Sequence, residues 1–163
     1  MIKALIAVYL YHHNNTEKIA HAMAEELGAV VKYPADINPV ALQDFDLVGF
    51  GAGIDSGRHY QPMLAFAGSL PAAAGKMAFL FSTSGVHGRK KMLSDHAALR
   101  KILLAKGYCI VDEYACAGFN TNSILKYFGG LNKRKPDKND LQGAKVFAKA
   151  VLCKCTDECG DAL

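Results

Sequence analysis

Short apolar runs alternate with segments of helical spacing along most of the chain, and this alternation leaves few folds open. Residues 2–9 (IKALIAVY) are too apolar for a half-exposed strand and read as a central parallel strand covered on both faces. Residues 16–27 carry Ile19, Ala20, Met23, Ala24 and Leu27 at helical spacing, and Gly28 stops them. A second strand is expected over 29–33, ended by Pro34, and a third over 46–52 (DLVGFGA). A short helix starts over 62–67, and a fourth strand follows at 76–82 (KMAFLFS). Ser94 has the character of a cap for a helix reaching about Lys106, with Leu99, Ile102 and Leu103 as its buried stripe and Gly107 as its stop. A fifth strand over 108–117 and a last helix over 141–152 complete the pattern.

Strands separated by helices pair in parallel, because parallel neighbours need crossover connections, and those are right-handed. The expected fold is therefore α/β: three layers, with a five-stranded parallel sheet of order 2-1-3-4-5 and helices on both faces. The 163 residues, 51% of them apolar and 21% charged, suit one domain with a sizeable core. That domain is expected over 1–152, followed by a Cys-containing C-terminal tail over 153–163. No apolar run is long enough to span a bilayer, and Met1-Ile2-Lys3 leads straight into a strand pattern, so a cytoplasmic protein without membrane association is expected.

In this strand order the carboxyl ends of the first, third and fourth strands open on one edge, and the loops that follow them are the binding loops. The first reads His12-His13-Asn14-Asn15-Thr16 and ends at a helix start, where unpaired N–H groups and the positive end of the helix dipole favour phosphate. The second reads Gly51-Ala52-Gly53-Ile54-Asp55-Ser56-Gly57-Arg58-His59-Tyr60, a backbone against which a planar ligand could lie. The third reads Phe81-Ser82-Thr83-Ser84-Gly85-Val86 and is rich in hydroxyls.

Three such loops in order resemble the flavodoxin-like, FMN-binding proteins. The similarity is greatest to a branch with an HH-x-N-T first loop, a G-x-G-I-x-x-G-[KR]-H second loop and an F-S-T-S-G third loop. Gly118-Phe119-Asn120-Thr121-Asn122, Gly129-Gly130-Leu131-Asn132-Lys133 and Pro136-Asp137 extend the likeness over nearly all of 2–150. The resemblance implies FMN as cofactor, with its phosphate held by His13, Asn14, Asn15 and Thr16. It implies that Gly53, Ile54, Asp55, Ser56 and Gly57 face the isoalloxazine, and that Ser82, Thr83, Ser84 and Gly85 meet the ring or ribityl chain. Gly57 would be the residue whose peptide turns toward the reduced ring. Leu10 stands where the family often has Ser, and Asn14 where Gly is common. The net charge of +4 also departs from the acidic surface of standard flavodoxins.

The function implied is electron transfer between redox partner proteins, with no side chain required to be catalytic. An FMN-dependent reductase of a quinone or other small acceptor, and a flavin-free binding module of the same fold, stand beside it. His59 reads either as a surface histidine or as a group at the ring edge coupling protonation to electron transfer. His12 and His13 diverge from one turn and have no third ligand nearby, so no metal is expected there. Arg89-Lys90-Lys91 and Lys133-Arg134-Lys135 suit a solvated face or docking to an acidic protein or dinucleotide phosphate. They lack the aromatic interleaving of a nucleic-acid reader. Cys153, Cys155 and Cys159 suit a soft metal or a thiol–disulfide pair, although no fourth ligand is evident, and Cys109 and Cys116 read as core residues.

Overall fold

A computed structural model describes residues 1–11, 14–86, 88–118 and 134–160, the last four of these by backbone alone. The sequence readings at His12, His13, 119–133 and the Cys159 side chain lie outside the described residues. The strands are β1 (Ala4–Val8), β2 (Val30–Lys32), β3 (Leu47–Asp55), β4 (Arg58–His59), β5 (Met77–Ser84) and β6 (Cys109–Ala117). The helices are α1 (Asn15–Leu27), α2 (Gln61–Ser69), α3 (Arg89–Asp95), α4 (Ala97–Ala105) and α5 (Lys138–Gly160). Five strands run parallel in the order β2-β1-β3-β5-β6, which is the expected doubly wound order. The sixth, β4, is a two-residue strand folded back against the end of β3.

Alternation along each strand divides the apolar side chains between two faces. Leu5, Ala7, Val48, Phe50 and Leu80 pack with Met63, Leu99 and Leu103 of α2 and α4. Ile6, Val8, Phe79 and Phe81 pack with Ile19 and Met23 of α1 and Val151 of α5. Gly49 and Gly51 make room on the second face. A Cβ at Gly49 would stand 2.3 Å from the Phe79 ring, and one at Gly51 2.0 Å from that of Phe81. The third strand therefore gives up side-chain volume so that two phenylalanines of its neighbour can fill the layer.

Among the helices, boundaries differ from the sequence expectation around Ser94 and at both ends of the last helix. The helix expected from Ser94 is two helices that meet at His96, and Ser94 lies inside α3 rather than capping anything. The last helix begins earlier, at Lys138, because Asp137 Oδ1 accepts from the N–H groups of Asn139 (2.9 Å) and Asp140 (3.1 Å). Asp140 Oδ2 answers by accepting from the Asp137 N–H at 2.8 Å, a reciprocal cap. That helix also runs past Leu152 to Gly160, so Cys153 and Cys155 are helical positions, the first exposed and the second buried. Among the described residues no helix is long and apolar enough to cross a membrane.

Candidate functional site

The chain leaves β1 for β2 on one side and returns to β3 on the other. This reversal opens a crevice at the carboxyl ends of β1 and β3. Helix α1 starts at that crevice. Asn14 precedes it with φ 49° and ψ 27°, a left-handed conformation that Asn tolerates, and its side chain makes no capping bond. The N–H groups of the first turn have no intrahelical acceptor and present positive potential at the sheet edge. Asn15 and Thr16 turn inward and are buried. The Thr16 and Thr83 hydroxyls lie 2.8 Å apart, which ties the helix start to β5. A Cβ at Gly118, just after β6, would come within 3.1 Å of both Asn15 Nδ2 and Thr83 Cβ, so a bare backbone closes this corner.

Residues 51–60 form a hairpin rather than the expected loop. Strand β3 continues through Gly53, Ile54 and Asp55, and Ile54 pairs with His59 and Asp55 with Arg58. Ser56 (φ 51°) and Gly57 (φ 77°) make the turn, and two consecutive positive φ values are the signature of the tight turn that matches strand twist. Gly53 serves Tyr60, since a Cβ there would be 2.5 Å from that ring. Tyr60 in turn packs against Tyr9 and Tyr11, with ring centroids 6.1 and 4.8 Å away. Tyr11 stays 58% exposed at the mouth of the crevice.

Ser82, Thr83 and Ser84 are the last residues of β5, not part of the loop beyond it. The side chains of Ser82 and Thr83 are buried. Thr83 faces Thr16, and Ser82 Oγ lies 2.8 Å from His96 Nε2. Ser84 Oγ donates to the Val86 carbonyl at 2.5 Å, and Gly85 is half-buried at the edge. These hydroxyls brace the edge, while the residues left facing outward are Asn14, Asp55, Ser56 and Gly57.

Beneath the hairpin lies a polar chain with no motif in the sequence. His96 is fully buried, with Nε2 toward Ser82 and Nδ1 2.8 Å from Glu113 Oε2. Arg100 donates to both oxygens of Glu113, at 2.5 and 2.8 Å. Burial works to raise the Glu113 carboxyl, but hydrogen bonds from His96 and Arg100 overcome it and hold the group at about 2. His59 lies against His96 with ring centroids 4.6 Å apart. It is also fully buried, and its Nε2 is 3.1 Å from the Phe81 carbonyl, so this nitrogen carries the proton and donates. Its Nδ1 is buried without a partner. Burial, reinforced by His96, pushes the His59 ring down to about 3. His59 is therefore neither a surface group nor a near-neutral titrator, contrary to both sequence readings.

Elsewhere, burial and then Asp140 push the Cys116 thiol up to about 12, which leaves it unreactive. Cys109, expected in the core, is exposed. In the basic clusters, Lys91 is paired to buried Asp95 and Lys135 to Asp137 and Asp140, while Arg89 and Lys90 point to solvent. No group of three His, Cys, Asp or Glu among the described residues is placed to hold a metal ion.

The doubly wound sheet, the switch-point crevice and the hairpin beside it make this a flavodoxin-like protein in fold. An archaeal flavodoxin superposes with a TM-score of 0.68 at 19% identity, over 94% of this chain and 99% of that one. Flavodoxin 2 from Bacillus cereus gives 0.69 at 17% identity, over 93% and 99%. An NADH:FMN oxidoreductase gives 0.64 at 14% identity, over 96% and 90%. No protein-family model matches the chain. In sequence it is 42% identical over 151 residues to the uncharacterized protein MJ0298 of Methanocaldococcus jannaschii, covering 93% of this chain and 99% of that protein, and it belongs to the same family.

Proposed function

We propose that the protein binds FMN in the crevice between β1 and β3 and passes electrons between redox partner proteins in the cytoplasm. The observation that carries this reading is the start of α1. A left-handed Asn14 without a side-chain capping bond precedes first-turn N–H groups that have no intrahelical acceptor, and Thr16 fastens the turn to β5. That donor set suits a phosphate. The corner closed by Gly118, where a side chain would collide with Asn15 and Thr83, suits a ligand seated against backbone.

In this reading Asn14 and the first-turn N–H groups hold the phosphate, and Thr16 acts by keeping that turn in place. The Ser56-Gly57 turn presents peptide groups, and Asp55 a carboxylate, to the ring edge. Bound flavin supplies one- or two-electron chemistry; the chain supplies orientation and the surroundings that set its potential. The exposed face of Tyr11 favours a second reading, in which a quinone or other flat acceptor stacks at the mouth and is reduced there.

Replacing Thr16 with Val strands the Thr83 hydroxyl and loosens the phosphate turn. The lost hydrogen bond, about 1 kcal/mol, corresponds to FMN binding weakened by roughly fivefold, with riboflavin little affected. Flavin fluorescence titration measures both. Equal loss for the two ligands would remove the phosphate role from this turn.

A further inference from the structure

The hairpin that reads the ring is short. It has two cross-strand pairs, Ile54 with His59 and Asp55 with Arg58, too few to fix its own position. Two consecutive buried residues at the junction of α3 and α4 lie against it. Asp95 Oδ1 is 3.9 Å from where a Gly57 side chain would begin, and Lys91 pins that carboxylate at 2.5 and 2.6 Å. His96 lies against the ring of His59. His59 also reaches across to the Phe81 carbonyl, so the hairpin's return strand is bonded to β5 and packed, at a tilt of 44°, against the residue that opens α4.

We propose that His96 is a positioning residue for the hairpin: held through both ring nitrogens by Ser82 and the Glu113–Arg100 pair, it carries His59 on its face and so fixes where the Ser56-Gly57 turn stands at the sheet edge. Three residues from two strands and one helix, Ser82, Glu113 and, through Glu113, Arg100, converge to hold one imidazole. Buried ion pairs are often replaceable by well-packed apolar residues without loss of stability, so a network of this kind is weak support for a purely stabilising role and consistent with a geometric one. The ring cannot rotate without breaking a bond at Nδ1 or Nε2. The Ser82 hydroxyl can reverse to donate or accept, so the clamp persists whether His96 carries one proton or two. The identity of the ligand rests on the FMN reading; the seating of the hairpin does not.

His96→Gln tests this in the flavin-free and flavin-loaded protein. In the flavin-free protein, backbone amide resonances of Ser56, Gly57 and Arg58 shift, while those of Asn15 and Thr16 stay. With ligand, FMN and riboflavin weaken by the same factor, about tenfold for one lost charge-assisted bond, because the defect lies at the ring and not at the phosphate. Unmoved hairpin amides, or a loss confined to FMN, would overturn the proposal. If His96→Gln does not fold, Ser82→Ala removes only the Nε2 partner and should move the same three amides; their staying in place would overturn it equally. A wild-type protein that binds neither flavin refutes the FMN reading, and the flavin-free spectra then decide the role of His96 alone.

Discussion

His59 shows how much one buried side chain sets the response of the fold to acid. In the folded protein its ring takes a proton only near pH 3, against 6.5 ordinarily. Above 6.5 it is neutral in both folded and unfolded chains and contributes nothing. Below 6.5 the unfolded chain takes up a proton that the folded one refuses, so stability falls by about 1.4 kcal/mol per pH unit at most, down to pH 3. Glu113 adds a second loss: its folded carboxyl stays ionised to about 2 against 4.5 ordinarily, so its contribution declines as pH drops from 4.5 toward 2. Melting temperature should accordingly fall between pH 7 and 5, and His59→Phe should flatten that fall. An unchanged slope would mean that another group governs it. Gly51 makes a separate demand. A methyl group there meets the buried Phe81 ring at 2.0 Å, so Gly51→Ala should destabilise by about 1–3 kcal/mol in denaturant unfolding.

At the scale of elements, most of the plan was legible. The apolar runs of β1, β3 and β5 and the helical spacing of α1 lie in continuous stretches of chain, where periodicity reports directly on burial. The hairpin at 54–59 has the sequence character of a loop because its return strand has only two residues, too few for any period to register. The sequence expectation has no helix at α3 and starts the next one at Ser94, which resembles a cap, while the break is at His96, whose two side-chain bonds depend on residues 82 and 113. That histidine does share a helical stripe with Leu99 and Leu103, which is the one local sign that its face is buried. Its partners could not be read locally, since they come together only once β5, α4 and β6 are packed. The early start of α5 depends on the Asp137 and Asp140 cap, whose two carboxylates stand three residues apart in the sequence. Asp137→Ala should lower the melting temperature by a few degrees and speed amide exchange in the first turn of α5 while leaving flavin affinity unchanged. A loss of affinity would mean that α5's start communicates with the site.

For the molecule as a whole, the fold brings to one edge the features that the sequence left as separate loops. Asn14 and the start of α1 lie at the crevice, the Ser56-Gly57 turn stands beside it, and Thr16 and Thr83 bind the two sides together. The sequence expectation ends this strand at Ser82, so the inward hydroxyl of Thr83, on a buried position one residue further along β5, is not legible there. Net charge of +4, with Arg58, Arg89 and Lys90 exposed, gives the surface a positive sign, which under the proposed function would suit an acidic redox partner. The central claim is that this edge holds FMN. The most direct test is the visible absorption spectrum of the purified protein, recorded before and after incubation with FMN and desalting. If this edge holds FMN, a flavin spectrum survives desalting in stoichiometric amount. A protein that stays colourless after reconstitution would contradict it and leave a binding module built on the same fold.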